Sequence, residues 1–152
     1  MTRSLILALG ADHGGVALKN RLAAALVEAG HEVQDYGTDG TASVDYPDFA
    51  QAVCTAVEEK RADLGVLVCG TGIGMSIAAN RHSGIRCGLV HDVTTARLTR
   101  AHNDANVLAL GARIIGEEVA LDILRVFINT DFEGGRHERR LAKLYQPTEH
   151  TP

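Results

Sequence analysis

Glycine stands at every second position after a cysteine in Cys69-Gly70-Thr71-Gly72-Ile73-Gly74. Without side chains at alternate residues, backbone N–H groups can close on an anion, and a helix that begins there adds the field of its N-terminus. The thiol at the entrance has two readings. A cysteine closing an apolar run is by default a small buried hydrophobe, which is the role expected of Cys54 and Cys87. Cys69 differs by position, because a nearby helix N-terminus favours thiolate over thiol and can bring a reference pKa of about 8.5 within reach of neutral pH. The loop is not a Walker loop, since no Gly-Lys-Ser/Thr occurs in the chain. It is not a dinucleotide fingerprint either, because the third glycine of that pattern would stand at Met75 and the pattern would follow the first strand. What remains is an oxyanion-holding loop with a thiol and, at Thr71, a hydroxyl.

Other residue groups could work with it. Asp12-His13-Gly14-Gly15 is either an Asx-type helix start, with Asp12 as the cap and His13 exposed, or part of a site. His102-Asn103-Asp104 is either a helix end with a histidine favoured by the dipole or a source of acid/base chemistry. Arg136 and Arg140 lie four apart and share one face if their stretch is helical. They form a solvated charge run or, given the fork of the guanidinium, a phosphate clamp. No two of the seven histidines stand four apart and none is followed by x-Glu, so no metal site is expected. A thiol base, an oxyanion loop, a ring-opening group at His102 or Asp12 and cations for a phosphate make a set. Proton transfer between adjacent carbons of a phosphosugar needs these parts.

These residues need a scaffold, and the hydrophobic pattern supplies one. Ser4–Leu9 is a short apolar run of the kind buried on both faces of a parallel sheet. Gly15–Gly30 follows helical spacing, with Gly30 placed as the C-terminal cap. Strands are expected over His31–Asp35, Leu64–Val68, Ile85–Val90 and Asn106–Leu110. Helices are expected over Tyr46–Glu59, from Gly74 to Asn80, over Asp92–Ala101 and over Glu117–Asn129. Strands alternating with helices predict an α/β fold, a three-layer α/β/α sandwich around a Rossmann-like, five-stranded, mainly parallel sheet. Strand order is not readable. Ligands of such sheets sit beyond the carboxyl ends of the strands, where the loops at Asp12, Cys69 and Gly111–Arg113 lie.

The composition excludes other classes. The chain has 152 residues, 45% hydrophobic and 22% charged, and a net charge of −4. Those values fit one domain over 1–152 with a full core and no basic excess for nucleic acid or a membrane surface. Three widely spaced cysteines without C-x-x-C suggest neither a disulfide framework nor a zinc cluster, and fit a reducing cytoplasm. The apolar run at the start is too short for a signal segment or a membrane span. After Asn129 the chain turns to a glycine-hinged, charged tail, expected from about 130 to 152 as a surface tail or an arm on a partner.

In order along the chain stand Asp12-His13-Gly14-Gly15, Asp45-Tyr46-Pro47-Asp48, Cys69 to Asn80, His102-Asn103-Asp104-Ala105-Asn106 and Glu133-Gly134-Gly135-Arg136-His137. This succession resembles the ribose/galactose isomerase family, which holds ribose 5-phosphate isomerase B and the galactose 6-phosphate isomerase subunits. The resemblance runs from Leu5 to about Leu144. It implies a cofactor-free aldose–ketose isomerase, a homodimer or dimer of dimers whose sites lie between subunits. It implies Cys69 as the base of a cis-enediolate mechanism, assisted by Thr71, with the amides of Gly70, Gly72, Ile73 and Gly74 on the enediolate oxygen. His102 with Asp12 would open the sugar ring and Asn103 would orient hydroxyls. Arg136, Arg140, His13 and Arg113 would hold the phosphate. A subgroup with a glutamate base carries it where this chain has Met75, so the resemblance is to the cysteine-base subgroup. The implied substrate is ribose 5-phosphate. Erythrulose 4-phosphate, galactose 6-phosphate and allose 6-phosphate are the alternatives within the family, and a non-catalytic phosphosugar- or nucleotide-binding module the alternative outside it.

Overall fold

The computed structural model describes residues 3–145. Five strands, β1 (Ile6–Ala11), β2 (Glu32–Asp35), β3 (Leu64–Cys69), β4 (Cys87–Leu89) and β5 (Val107–Gly111), form one sheet in the order β2-β1-β3-β5-β4. Every pairing is parallel. Parallel neighbours need crossovers, which are made by α1 (Val16–Glu28), α2 (Tyr46–Glu58), α3 (Ile73–Ala79) and α4 (Val93–Ala101). Helices α5 (Glu117–Ile128) and α6 (Arg136–Lys143) follow the last strand.

The three central strands, β1, β3 and β5, are buried on both faces because they carry apolar residues or glycine at every position rather than at every second one. Leu7, Leu9, Val66, Val68, Leu108 and Leu110 point into a core shared with α1, α4 and α5. Ala8, Leu67, Cys69, Val107 and Ala109 point to the other core, under α2 and α3. A strand's period of two thus places Cys69 on the α2/α3 side. The expected three layers are present.

Differences from the expected elements have local causes. β1 runs two residues further than Leu9, because Gly10 and Ala11 still pair with Leu67 and Val68. β4 is shorter than expected, since as an edge strand it pairs only with β5. Within the charged tail the stretch Arg136–Lys143 is helical, as α6. Gly30 does end α1: at φ +88° its N–H donates to Val27 O while the His31 N–H donates to Leu26 O, a Schellman closure. Asp12 does not cap α1. Its Oδ1 accepts the Gly14 N–H at 2.9 Å, a turn inside the loop, and the helix opens at Gly15 without a side-chain cap. The expected arm from about 130 to 152 is described only as far as Tyr145, and 146–152 lie outside the described residues.

Candidate active site

Two groups of side chains stand at opposite edges of the sheet. At the carboxyl edge, Cys69 ends β3 and Gly72, at φ +76°, turns the chain left-handed into α3. That turn folds the Gly72 N–H back onto Cys69 Sγ at 3.1 Å. A side chain at Gly72 is doubly forbidden, since its Cβ would also lie 2.7 Å from Leu89 and 2.9 Å from the Leu110 backbone. Thr71 is exposed, and its Oγ1 accepts the Ile73 N–H at 3.2 Å. Cys69 itself is 5% exposed, at the floor of the loop.

The neighbouring loops close around this one. The Ala112 N–H donates to Cys69 O and the Arg113 N–H to Gly70 O, both at 2.9 Å. Arg113 lays its side chain over Gly70, its Cδ and Nε 3.5 and 3.6 Å from where a Cβ would stand. On the other side the Asp12 N–H donates to Val68 O, and Gly14 lies against the Gly70 backbone. His13 Nδ1 accepts the Val44 N–H at 3.2 Å, so in the neutral ring the proton sits on Nε2. Tyr46, at the start of α2, packs on Gly74 so closely that a Cβ there would lie 2.7 Å from its ring. Asp12, His13, Cys69, Thr71, the glycine amides and Arg113 therefore share the carboxyl edge of the sheet.

His102, Asn103, Arg136 and Arg140 do not join them within the chain. His102 is the C-cap of α4, a helix that runs back against the strands, so the His102–Asn106 turn enters β5 at its amino end. Five residues of β5 separate the two groups, roughly 16 Å at about 3.3 Å per residue. The turn is held firmly: the Arg86 Nε donates to Asn103 O and Asp104 O, and Arg86 and Arg100 both pair with the Asp104 carboxylate. Asp104 adopts φ +44° under those bonds. The tail returns to this edge as the Glu133 N–H donates to Ala101 O at 3.0 Å. The His137 ring then stacks on His102 with centroids 4.4 Å apart. His102, Asn103, His137, Arg140, Leu141 and Leu144 line a cavity of about 300 Å³. Burial lowers the His137 pKa, helped by the charges of His102 and Arg136.

Spacing along the chain brought Glu133 and His137 forward only as parts of a motif. Their separation of four residues is the signal that a search for paired histidines passes over. The remaining thiols are packing groups: burial pushes both Cys54 and Cys87 up to about 12, with Glu58 adding to the effect at Cys54. Among the described residues no helix is long and apolar enough to cross a membrane.

Comparison with known proteins covers nearly the whole chain. The family model described as Ribose/Galactose Isomerase matches residues 7–144. A protein of Escherichia coli named ribose-5-phosphate isomerase B is 46% identical over 138 residues, 91% of this chain and 93% of the relative. A protein of Pectobacterium atrosepticum named D-erythrulose-4-phosphate isomerase is 40% identical over 141 residues, 92% of this chain and 93% of the relative. The crystal structure of a ribose 5-phosphate isomerase from Thermotoga maritima superposes with a TM-score of 0.92 at 47% identity, covering 93% of this chain and 98% of that one.

Proposed function

The chain belongs to the ribose/galactose isomerase family, and we propose that it is a cytoplasmic, cofactor-free enzyme interconverting ribose 5-phosphate and ribulose 5-phosphate with Cys69 as the base. The observation that carries this reading is the Gly72 N–H on Cys69 Sγ at 3.1 Å, inside a glycine loop closed by the Asp12 and Arg113 loops. A carbon acid is a poor proton donor, and its anion must be met by donors already in place. The loop offers both groups at once. In the proposed reaction His102, with Asp12, moves the protons that open the furanose ring, and Asn103 orients the hydroxyls. The Cys69 thiolate takes the proton from C2 while the carbonyl oxygen at C1 becomes an enediolate oxygen held by the amides of Gly70, Gly72, Ile73 and Gly74. Cys69 returns the proton to C1 while the O2 proton passes to O1, so that C2 becomes the carbonyl and O1 a hydroxyl, and Thr71 assists this transfer between the oxygens. Arg136, Arg140, His13 and Arg113 hold the phosphate.

This reaction needs a second copy of the chain. The base and oxyanion loop stand at one edge of the sheet, and His102, Asn103 and the two tail arginines at the other. A homodimer, alone or as a dimer of dimers, sets the carboxyl edge of one protomer against the amino edge of its partner. Exposed apolar side chains beside the loop support this: Ile73 and Ile77 on α3, with Tyr46, Leu89 and Val93 around them. A patch of that kind is a contact surface rather than a solvated one.

The test is proton NMR in D2O with ribose 5-phosphate, beside erythrulose 4-phosphate and allose 6-phosphate. Conversion of ribose 5-phosphate with deuterium entering at the exchanged carbon, abolished in Cys69→Ala, is the expected result. Turnover retained in Cys69→Ala refutes the base assignment. Turnover of erythrulose 4-phosphate alone would move the substrate to the four-carbon reading, which the Pectobacterium relative's name favours, and leave the chemistry in place.

A further inference from the structure

We propose that His102, Glu133 and His137 form a binding site for a divalent transition-metal ion of the zinc class, with one coordination position open. His102 Nε2 and His137 Nε2 lie 4.0 and 3.6 Å from Glu133 Oε2, and one donor atom from each residue falls within 4.8 Å of the others. Two imidazoles and a carboxylate are the donor set of open zinc sites. The His137 side chain is only 7% exposed, yet its Nε2 is buried without a hydrogen-bond partner while aimed at that carboxylate. A buried polar nitrogen left unpaired is costly, and a metal ion would satisfy it.

The backbone holds all three donors independently of any ion. The His102 N–H donates to Leu98 O at 2.8 Å, the Glu133 N–H to Ala101 O at 3.0 Å, and the His137 N–H to Gly134 O at 3.2 Å. Tetrahedral bonds of about 2.0–2.1 Å place donor atoms roughly 3.3 Å apart. The present separations of 3.6 and 4.0 Å exceed that by less than 1 Å, and χ2, a soft torsion for histidine, is the motion that would close them. Two of the three residues, His102 and His137, also line the cavity of about 300 Å³.

One consequence rests on the proposed role of His102. The ion takes the nitrogen that opens the sugar ring, so occupancy inhibits the isomerase until a chelator removes it. Zinc binding to the full chain is measured by competition with a chromophoric chelator, beside isomerase assays with zinc and with EDTA. Wild type and Cys69→Ser are expected to bind one zinc per chain. Glu133→Gln, at an exposed side chain that tolerates the change, and His137→Gln are each expected to bind at least about tenfold more weakly, since even outer partners of a metal site contribute that much. Equal binding in wild type and Glu133→Gln overturns the site, and so does loss of binding in Cys69→Ser alone. Inhibition that EDTA reverses, and that needs more zinc in Glu133→Gln, is the expected activity result. Zinc bound at the site with full turnover would instead leave the site standing and overturn the ring-opening role of His102.

Discussion

Gly15 sits where the Asp12 loop enters α1, against the end of the central strand, and Gly15→Ala tests whether that approach is as close as the structure has it. The backbone itself permits alanine, for φ is −115°. The obstacle is the new Cβ, which would lie 2.5 Å from Val68 O and 2.8 Å from Val68 C and Cγ1. Favourable carbon contacts begin near 3.5 Å, so the two carbon contacts overlap by about 0.7 Å, and the contact with the carbonyl oxygen is shorter still. β3 cannot retreat, because it is bonded to β1 on one side and β5 on the other. The start of α1 must lift instead, which sets the cost at the top of the range for overpacking, about 3 kcal/mol. For a chain of this size each kcal/mol corresponds to about 2–4 °C, so the melting temperature should fall by about 6–12 °C. The assay is thermal denaturation followed by circular dichroism at one fixed protein concentration, since any assembly makes the midpoint concentration-dependent. Gly40→Ala is the control. Its Cβ meets nothing within 4 Å, and the change should stay within about 0.5 kcal/mol. A Gly15→Ala midpoint within 2 °C of wild type, roughly the effect of less than 1 kcal/mol, would refute the packing argument.

Two further substitutions test the electrostatics. Lys19 is 1% exposed and its Nζ bonds both Asp35 oxygens at 2.7 Å, so Asp35→Asn leaves a buried charge uncompensated and should cost about 2–3 kcal/mol, less than a fully buried pair because Asp35 is partly solvated. Lys19→Met removes the buried charge and should cost less in urea denaturation; the reverse order would refute this account of the pair. Asp92 caps α4 by accepting the Thr95 N–H at 2.7 Å and the Thr95 hydroxyl at 3.0 Å, and these bonds hold its carboxyl below the usual carboxylate range. A folded-state value below the unfolded one contributes stability that is present above about pH 4 and lost as pH falls through the folded value. Wild type should therefore melt above Asp92→Ala at neutral pH, with the gap closing in acid, and a gap unchanged at pH 3 would contradict the assignment.

Much of the scaffold is legible in the chain because one physical rule governs it. A strand covered on both faces must be apolar throughout, and Leu64–Val68 and the Val107–Leu110 run declare themselves this way, while Asn106, expected as a strand residue, lies just before β5. Boundaries fail where two rules compete. Gly10 is a breaker by propensity, yet the pairing of Gly10 with Leu67 keeps it in the ladder. Glycines at 134 and 135 and the charges after them conceal α6, whose first turn is anchored by the burial of His137 rather than by an apolar stripe. Strand order is set by which edges find partners across dozens of residues, and no local pattern carries that information.

The site divides in the same way. The Cys69 loop is legible because its parts are consecutive: the thiol, the alternating glycines and the helix start fall within six residues, and their geometry follows from the turn at Gly72. Its closure by Asp12 and Arg113 follows once β1, β3 and β5 are known to be neighbours, since all three loops then leave the same edge. His102 carries no such mark. Helical spacing places it at the end of α4, but the direction of α4 relative to β5 decides which edge of the sheet it reaches, and that edge is the far one. The interval between Cys69 and His102 along the chain therefore says nothing about whether they can act on one substrate. If they do so, the distance must be closed between protomers, and the oligomer is then a condition of the chemistry. A chain in which Cys69→Ala and His102→Ala variants, each inactive, regain activity on mixing would show this directly, because a mixed dimer contains one site with both residues intact. Failure of the mixture to regain activity, with subunit exchange verified, would return His102 to the structural role of a helix end.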